Sequence, residues 1–170
     1  AATRFGWVEE YETFGWIGGA GVTEAEAVAR LGAGAGVELA AGEAWEWDGP
    51  TFGVRAVGDR LLLWDDADLG LDARVPLWLS ESGRCVAVAW GMNSSCLTVA
   101  EQGRLVRGFD PMMRGPVEDD DVLYEDEADA EADRDGDPLE AEAEVDWAAS
   151  TSAASLHLLE LLTGVTVEPD

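Results

Sequence analysis

Apolar residues in the stretch 85–109 come in runs of strand length, cut by two turn signals, Gly91 to Ser94 and Gln102-Gly103. That alternation predicts a three-stranded antiparallel meander. Centring the first turn on Met92-Asn93 sets Cys85 opposite Ala100 and Cys96 opposite Ala89. The second turn sets Val99 opposite Val106 and Leu97 opposite Gly108, with Thr98 and Arg107 paired on the other face. Both faces carry apolar groups, so the pattern predicts helices over at least one of them.

The same reading extends to both sides. Residues 52–57 and 60–64 flank Gly58-Asp59, a two-residue hairpin turn that pairs Val54 with Leu63 and Ala56 with Leu61. Thr23-Glu24-Ala25-Glu26 fits a capping box and opens a helix over 24–31, with Gly32 as its stop. Pro76 suits the first turn of a short helix carrying Leu77, Trp78 and Leu79, ended by Gly83. Residues 153–162 form a strong helix, with Leu156, Leu159 and Leu162 on one face and Leu158 broadening it. Thr163-Gly164 ends that helix, and 165–167 reads as a last strand. Towards the N-terminus the pattern predicts a short helix over 7–11 and an edge strand over 13–17. A loop over 32–42 and a half-buried strand around Trp45 and Trp47 follow. Trp64, Trp78 and Trp90 sit among apolar neighbours and read as core.

These elements make an α+β fold: a single antiparallel sheet of about five or six strands with two or three covering helices. At 170 residues and 47% hydrophobic, the chain is long enough to bury a core without disulfides or metals. The longest apolar run, 85–90, is far below the roughly 20 residues that cross a bilayer. No basic start leads into an apolar core, so the expected location is the cytoplasm, with no membrane association.

Charge changes the picture most. The formal net charge is −26, and all ten basic residues are Arg. Such a chain is repelled by nucleic acid and by anionic membranes, and the partner it attracts is basic. Residues 118–146 hold 16 acids and one Arg, more than half of the net charge. The reading therefore takes 1–117 with 147–170 as a single domain, and 118–146 as an acidic low-complexity insertion expected to be disordered.

Three blocks resemble a family of uncharacterised actinobacterial domains of unknown function. They are TEAEAVARLGA at 23–33, SESGRCVAVAWGMNSSCLTVAEQGRLVRGFDP at 80–111, and LHLLELLTGVTV at 156–167. The order of helix, meander and closing Leu-Thr-Gly helix is similar too. The resemblance implies a fold and carries no activity onto any residue. The acidic insertion looks like an addition peculiar to this chain.

The absence of Lys excludes a phosphate-loop lysine and a Schiff-base lysine. The one histidine, His157, lies between leucines on the last helix and reads as a partly exposed helix residue rather than a general base. Cys85 and Cys96 are out of register for a bridge and read as reduced strand residues. Gly19-Ala20-Gly21 has the first half of a dinucleotide fingerprint but lacks its third Gly, so it reads as a strand-to-helix turn, with no cofactor. Asp65, Asp66 and Asp68 form the best candidate for a divalent metal, set against a plainer role as turn and cap residues. Asp133, Asp135, Asp137 and Glu144 echo the spacing of a calcium loop, but Pro138 stands where that loop needs Gly.

Two functions follow as expectations. The first is a non-catalytic interaction protein that binds or shields a basic protein partner, as an immunity-type inhibitor or a nucleic-acid mimic. Glu118, Asp119, Asp120, Asp121, Glu125, Asp126 and Glu127 are its candidate contact residues. The second is a divalent-metal-dependent enzyme using Asp65, Asp66 and Asp68. A third reading keeps the domain and treats the acidic insertion as an inert linker.

Overall fold

The computed structural model describes residues 4–5, 7–8, 13–32, 51–65, 68–72, 74–91, 94–114 and 136–168. One six-stranded antiparallel sheet organises them. Its strands are β1 (Phe14–Ala20), β2 (Gly53–Val57), β3 (Arg60–Asp65), β4 (Arg84–Gly91), β5 (Ser94–Glu101) and β6 (Arg104–Phe109), in the order β2-β3-β1-β4-β5-β6. The helices are α1 (Glu24–Arg30), α2 (Asp68–Leu71), α3 (Arg74–Leu79) and α4 (Thr151–Thr163). The fold is α+β.

Alternation along the strands divides the core in two. On one face Phe14, Trp16, Leu62, Val86, Val88, Leu97, Val99 and Phe109 pack under α4, with Phe5, Val8, Val145, Val165 and Val167 closing the layer. On the other face Ile17, Leu61, Leu63, Cys85 and Ala87 pack with Val22, Ala27, Val75 and Leu79 from the α1 and α3 side. Both faces are therefore covered.

The sequence reading makes 13–17 an edge strand, but β1 lies in the middle of the sheet, between β3 and β4. Its glycines explain both the weak strand signal and the central position. A Cβ on Gly18 would stand 3.0 Å from Leu159 and 3.1 Å from Thr163, so the bare backbone lets α4 settle onto the sheet.

The hairpins largely follow the spacing. Val54 pairs with Leu63 and Ala56 with Leu61. Cys85 pairs with Ala100 and Cys96 with Ala89. The turn between β5 and β6 has positive φ at Gln102 (52°) and Gly103 (73°), as a primed hairpin turn requires. It is tied down by Gln102 N–H donating to the Gly83 carbonyl at 3.0 Å and Gly103 N–H donating to Ser80 Oγ at 3.2 Å.

Beyond that turn the expected register fails. Ala100 pairs with Leu105, but Val99 pairs with Arg107, Thr98 with Gly108 and Leu97 with Phe109. A β-bulge takes up Val106 as an extra residue. One residue of slip moves Arg107 to the face of Val99, the α4 side of the sheet.

Helix ends match their signals. Thr23 and Glu26 form the capping box of α1. Ser150 caps α4 by accepting from Ala153 N–H, and Gly164, at φ 65°, closes it with its N–H on the Glu160 carbonyl. Residues 165–167 do not form a strand. Val165 and Val167 are buried, but their N–H groups donate to Thr163 Oγ1 and a Glu160 carboxylate oxygen, so side chains replace the ladder. Trp78, expected in the core, is 40% exposed, while Trp16 is buried. The expected strand around Trp45 and Trp47 lies outside the described residues. So does most of the short helix expected over 7–11. Among the described residues, no helix is long and apolar enough to cross a membrane.

The Gly18 contact yields a direct test. Gly18→Val would force β1 and α4 apart and should lower stability by about 1–3 kcal/mol. A urea melt monitored by Trp fluorescence would show the reduced midpoint.

Candidate functional site

The most distinctive polar arrangement among the described residues lies at the edge of the sheet, on β6. The bulge aims Arg107 inward, where its side chain is only 1% exposed. Burying a guanidinium without a partner costs several kcal/mol, so it has to find an acid. It finds Glu142, whose side chain is 3% exposed, with Arg107 Nε on Oε1 at 2.8 Å and Nη2 on Oε2 at 3.3 Å. This is the two-pronged geometry that a planar guanidinium favours. The third nitrogen, Nη1, donates to the Gly136 carbonyl at 2.6 Å, and the guanidinium lies 4.9 Å from the centre of the Phe109 ring.

Glu142 belongs to a 3-10 helix, Glu140–Glu144, inside the segment that composition marks as acidic insertion. The expectation of disorder over 118–146 therefore does not hold for its end. Residues 136–146 are part of the folded body. Gly136 makes the approach possible: its φ is 83°, and a Cβ there would stand 2.0 Å from the Val106 carbonyl oxygen. Leu139 N–H donates to Glu142 Oε1 at 2.9 Å, and Trp147 Nε1–H donates to the Glu142 carbonyl at 3.1 Å. Trp147 meets Phe109 edge-on at 5.7 Å, and Val145 is buried. Residues 136–147 thus form a strap, locked onto β6 by one ion pair and a few apolar anchors.

The candidates named from sequence are placed unevenly. Asp65 is the last residue of β3, half-buried and opposite Gly15. Asp68 opens α2, but its side chain, like all of Asp66, lies outside the described residues. The mutual placement of the three carboxylates therefore lies outside the described residues. Among the described residues no group of three or more His, Cys, Asp or Glu side chains is placed to hold a metal ion. Glu118, Asp119, Asp120, Asp121, Glu125, Asp126 and Glu127 all lie outside the described residues, as do Asp133 and Asp135. Asp137 and Glu144 are exposed on the strap.

Other features have structural explanations. Gly21, at φ 77°, lets the β1–α1 turn pass the Ser82 carbonyl, which a Cβ would approach to 2.6 Å. An open groove of about 350 Å³ beside it is lined by Thr23, Glu24, Asp59 and Arg60. Thr23 is engaged in the α1 cap, and Arg60 Nη1 donates to the Gly164 carbonyl at 2.6 Å. His157 is half-buried, its ring 6.3 Å from that of Phe5, and its Nδ1 has no hydrogen-bond partner among the described residues. Both cysteines are free thiols. Burial pushes the Cys85 thiol far above its ordinary range, and burial also raises Cys96, whose Sγ lies 3.3 Å from Thr98 Oγ1.

No family model matches the chain, and neither a curated protein nor a solved structure similar to it was found. The site therefore has to be read from its own geometry.

Two predictions follow from that geometry. Removing one partner of the buried pair, by Arg107→Leu or Glu142→Leu, should cost about 3–5 kcal/mol because the other charge stays buried. The double replacement should cost less than either single change, which chemical denaturation of all four chains would show as a coupling energy. The thiols give a pH dependence. The folded state raises the Cys85 pKa above its ordinary value of 9.0, so its stabilising effect is complete below that pH. As pH rises past it, the unfolded chain loses the proton and the folded chain keeps it. Stability should then fall by up to about 1.4 kcal/mol per pH unit for this group. Melts of wild type and Cys85→Ala at pH values either side of 9 would show a shallower alkaline decline in the variant.

Proposed function

We propose that this protein is a non-catalytic interaction module that binds or shields a basic protein partner through its acidic segment. One observation supports the reading: the densest acidic stretch starts and ends on a fixed base. Residues 115–135 carry 11 acids and one Arg. They follow the 3-10 turn Pro111–Arg114, which packs against β5 and α4, and they lead into Gly136, which Arg107 holds. Anchoring both ends limits where the charge can go and lowers the conformational entropy lost on binding.

In its concrete form the partner is a basic toxin, nuclease or DNA-binding protein whose cationic groove receives the acids in place of nucleic acid. Charge complementarity of this kind acts chiefly through fast, salt-sensitive association. The anchor at Gly136 matters for the design of the test. A deletion that ran on to Glu144 would remove Glu142 and strip the partner from Arg107, so it would disturb the fold as well as the charge.

The test compares the full chain with one lacking 118–133, using a labelled polyarginine peptide as probe and then a lysate pull-down to name the partner. At about 50 mM salt the full chain should bind at least about ten-fold more tightly, and the difference should shrink as salt approaches about 0.5 M. Equal binding by the two chains would move the interaction to the folded body and overturn the proposal.

A further inference from the structure

Among the described residues the sheet ends on one side at β2, whose one neighbour is β3. The hairpin that joins them turns at Gly58, φ 66°, and Asp59. In a two-residue hairpin the flanking residues, here Val57 and Arg60, bond to each other, and bonding then alternates along the strand. Gly53, Arg55 and Val57 therefore direct their N–H and C=O groups to β3. Val54 and Ala56 turn theirs to the open edge, where no group of the described residues bonds to them. Residues 55–57 are exposed. Edges of this kind are ordinarily blunted by charged side chains or Pro. The one such residue in β2 is Arg55, which pairs with Leu62 and so lies on the α4 side of the sheet.

Val54 and Ala56 lie on the other face, with Leu63 and Leu61, towards α1. On that face the groove between the β2–β3 turn and the β1–α1 turn comes up to Ala56. Its lining carries two carboxylates, Glu24 and Asp59, and one cation, Arg60. Arg60 donates from Nη1 to the Gly164 carbonyl, at the end of α4 on the opposite face. It lies 3.9 Å from the Asp59 carboxylate, whose side chain is 93% exposed, and a pair that open contributes little. Glu24 is exposed and has no ion-pair partner among the described residues. The groove is left acidic.

We propose that β2 is a docking edge, which takes an extended segment of a basic protein partner as a seventh strand of the sheet. The segment's backbone bonds to Val54 and Ala56. The side chain opposite Ala56 falls on the α1 face, and an Arg or Lys there reaches Glu24 and Asp59. Main-chain bonds supply the affinity and the groove selects the side chain, which is recognition by strand addition. Charge decides the occupant. A second copy would bring another net −26, with its own Glu24 and Asp59, to the same edge, whereas a cationic segment meets opposite charge. The contact lies on the folded body, so it adds to the attraction of the acidic segment and does not rest on it.

The test uses the full chain and two labelled, capped peptides that alternate Arg with Val. In the second peptide the Arg residues are N-methylated, so charge is kept while the donors facing Ala56 are lost. The wild-type chain should bind the unmethylated peptide about ten-fold more tightly by fluorescence anisotropy. Ala56→Pro removes the edge's own donor and leaves the ladder to β3 intact, so it should abolish that preference. The acidic segment attracts both peptides alike. Equal binding of the two by wild type, or a preference that survives in Ala56→Pro, would therefore overturn this inference and leave the proposed function standing. Where Ala56→Pro does not fold, hydrogen exchange on the wild-type chain decides. Saturating peptide should slow the Val54 and Ala56 amides about ten-fold, and unchanged exchange there would overturn the proposal. A dimer of the protein alone, lost in Ala56→Pro, would assign the edge to a second copy and overturn the choice of partner.

Discussion

A full positive charge buried between β6 and residues 136–147, on the α4 side of the sheet, constrains everything around it. Arg107 cannot sit there unpaired, so the chain has to return, after residues 115–135, with a carboxylate at the right depth. That requirement accounts for the turn at Gly136, the 3-10 helix Glu140–Glu144 and the seat of Trp147 on Phe109. It also fixes where the strap ends and Ser150 caps α4, the helix that covers one face of the sheet. A charge on the sheet edge thus fixes the end of the acidic segment, and through it the entry to the closing helix.

The bulge on β6 is what puts the charge there. With regular pairing, Arg107 would lie opposite Thr98 on the face towards α1 and α3. The extra residue at Val106 turns it onto the face of Val99 and Phe109, where the guanidinium packs along the aromatic ring. The same irregularity leaves the Val106 carbonyl facing Gly136, so the strap and the strand meet through backbone as well as charge.

Much of the fold was legible in the sequence because its signals are local. Gly58-Asp59, Gln102-Gly103, the Thr23 to Glu26 box and the Gly164 stop each specify a turn or cap from neighbouring residues alone. The central place of β1 was not legible, because its glycines weaken the strand pattern and their reason, the approach of Leu159 and Thr163 to Gly18, lies far along the chain in the closing helix. The bulge was not legible either, since regular pairing and slipped pairing place equally acceptable residues opposite each other near the turn. Glu142 was hidden for a different reason: it is one of 16 acids in a low-complexity stretch, and only its partner distinguishes it. Gly136 beside Leu139 and Trp147 was the available signal, a positive-φ residue and apolar anchors in an otherwise solvated run.

The central claim is that residues 136–147 belong to the folded body and are held there by Arg107. Hydrogen exchange followed residue by residue tests it most directly. The amides of Leu139 and Glu142, which donate to the Glu142 carboxylate and the Leu139 carbonyl, should be protected well above coil rates, as the α4 amides are. Protection in α4 with coil-rate exchange across 136–147 would contradict the account, and would leave Arg107 without the partner on which this reading of the protein rests.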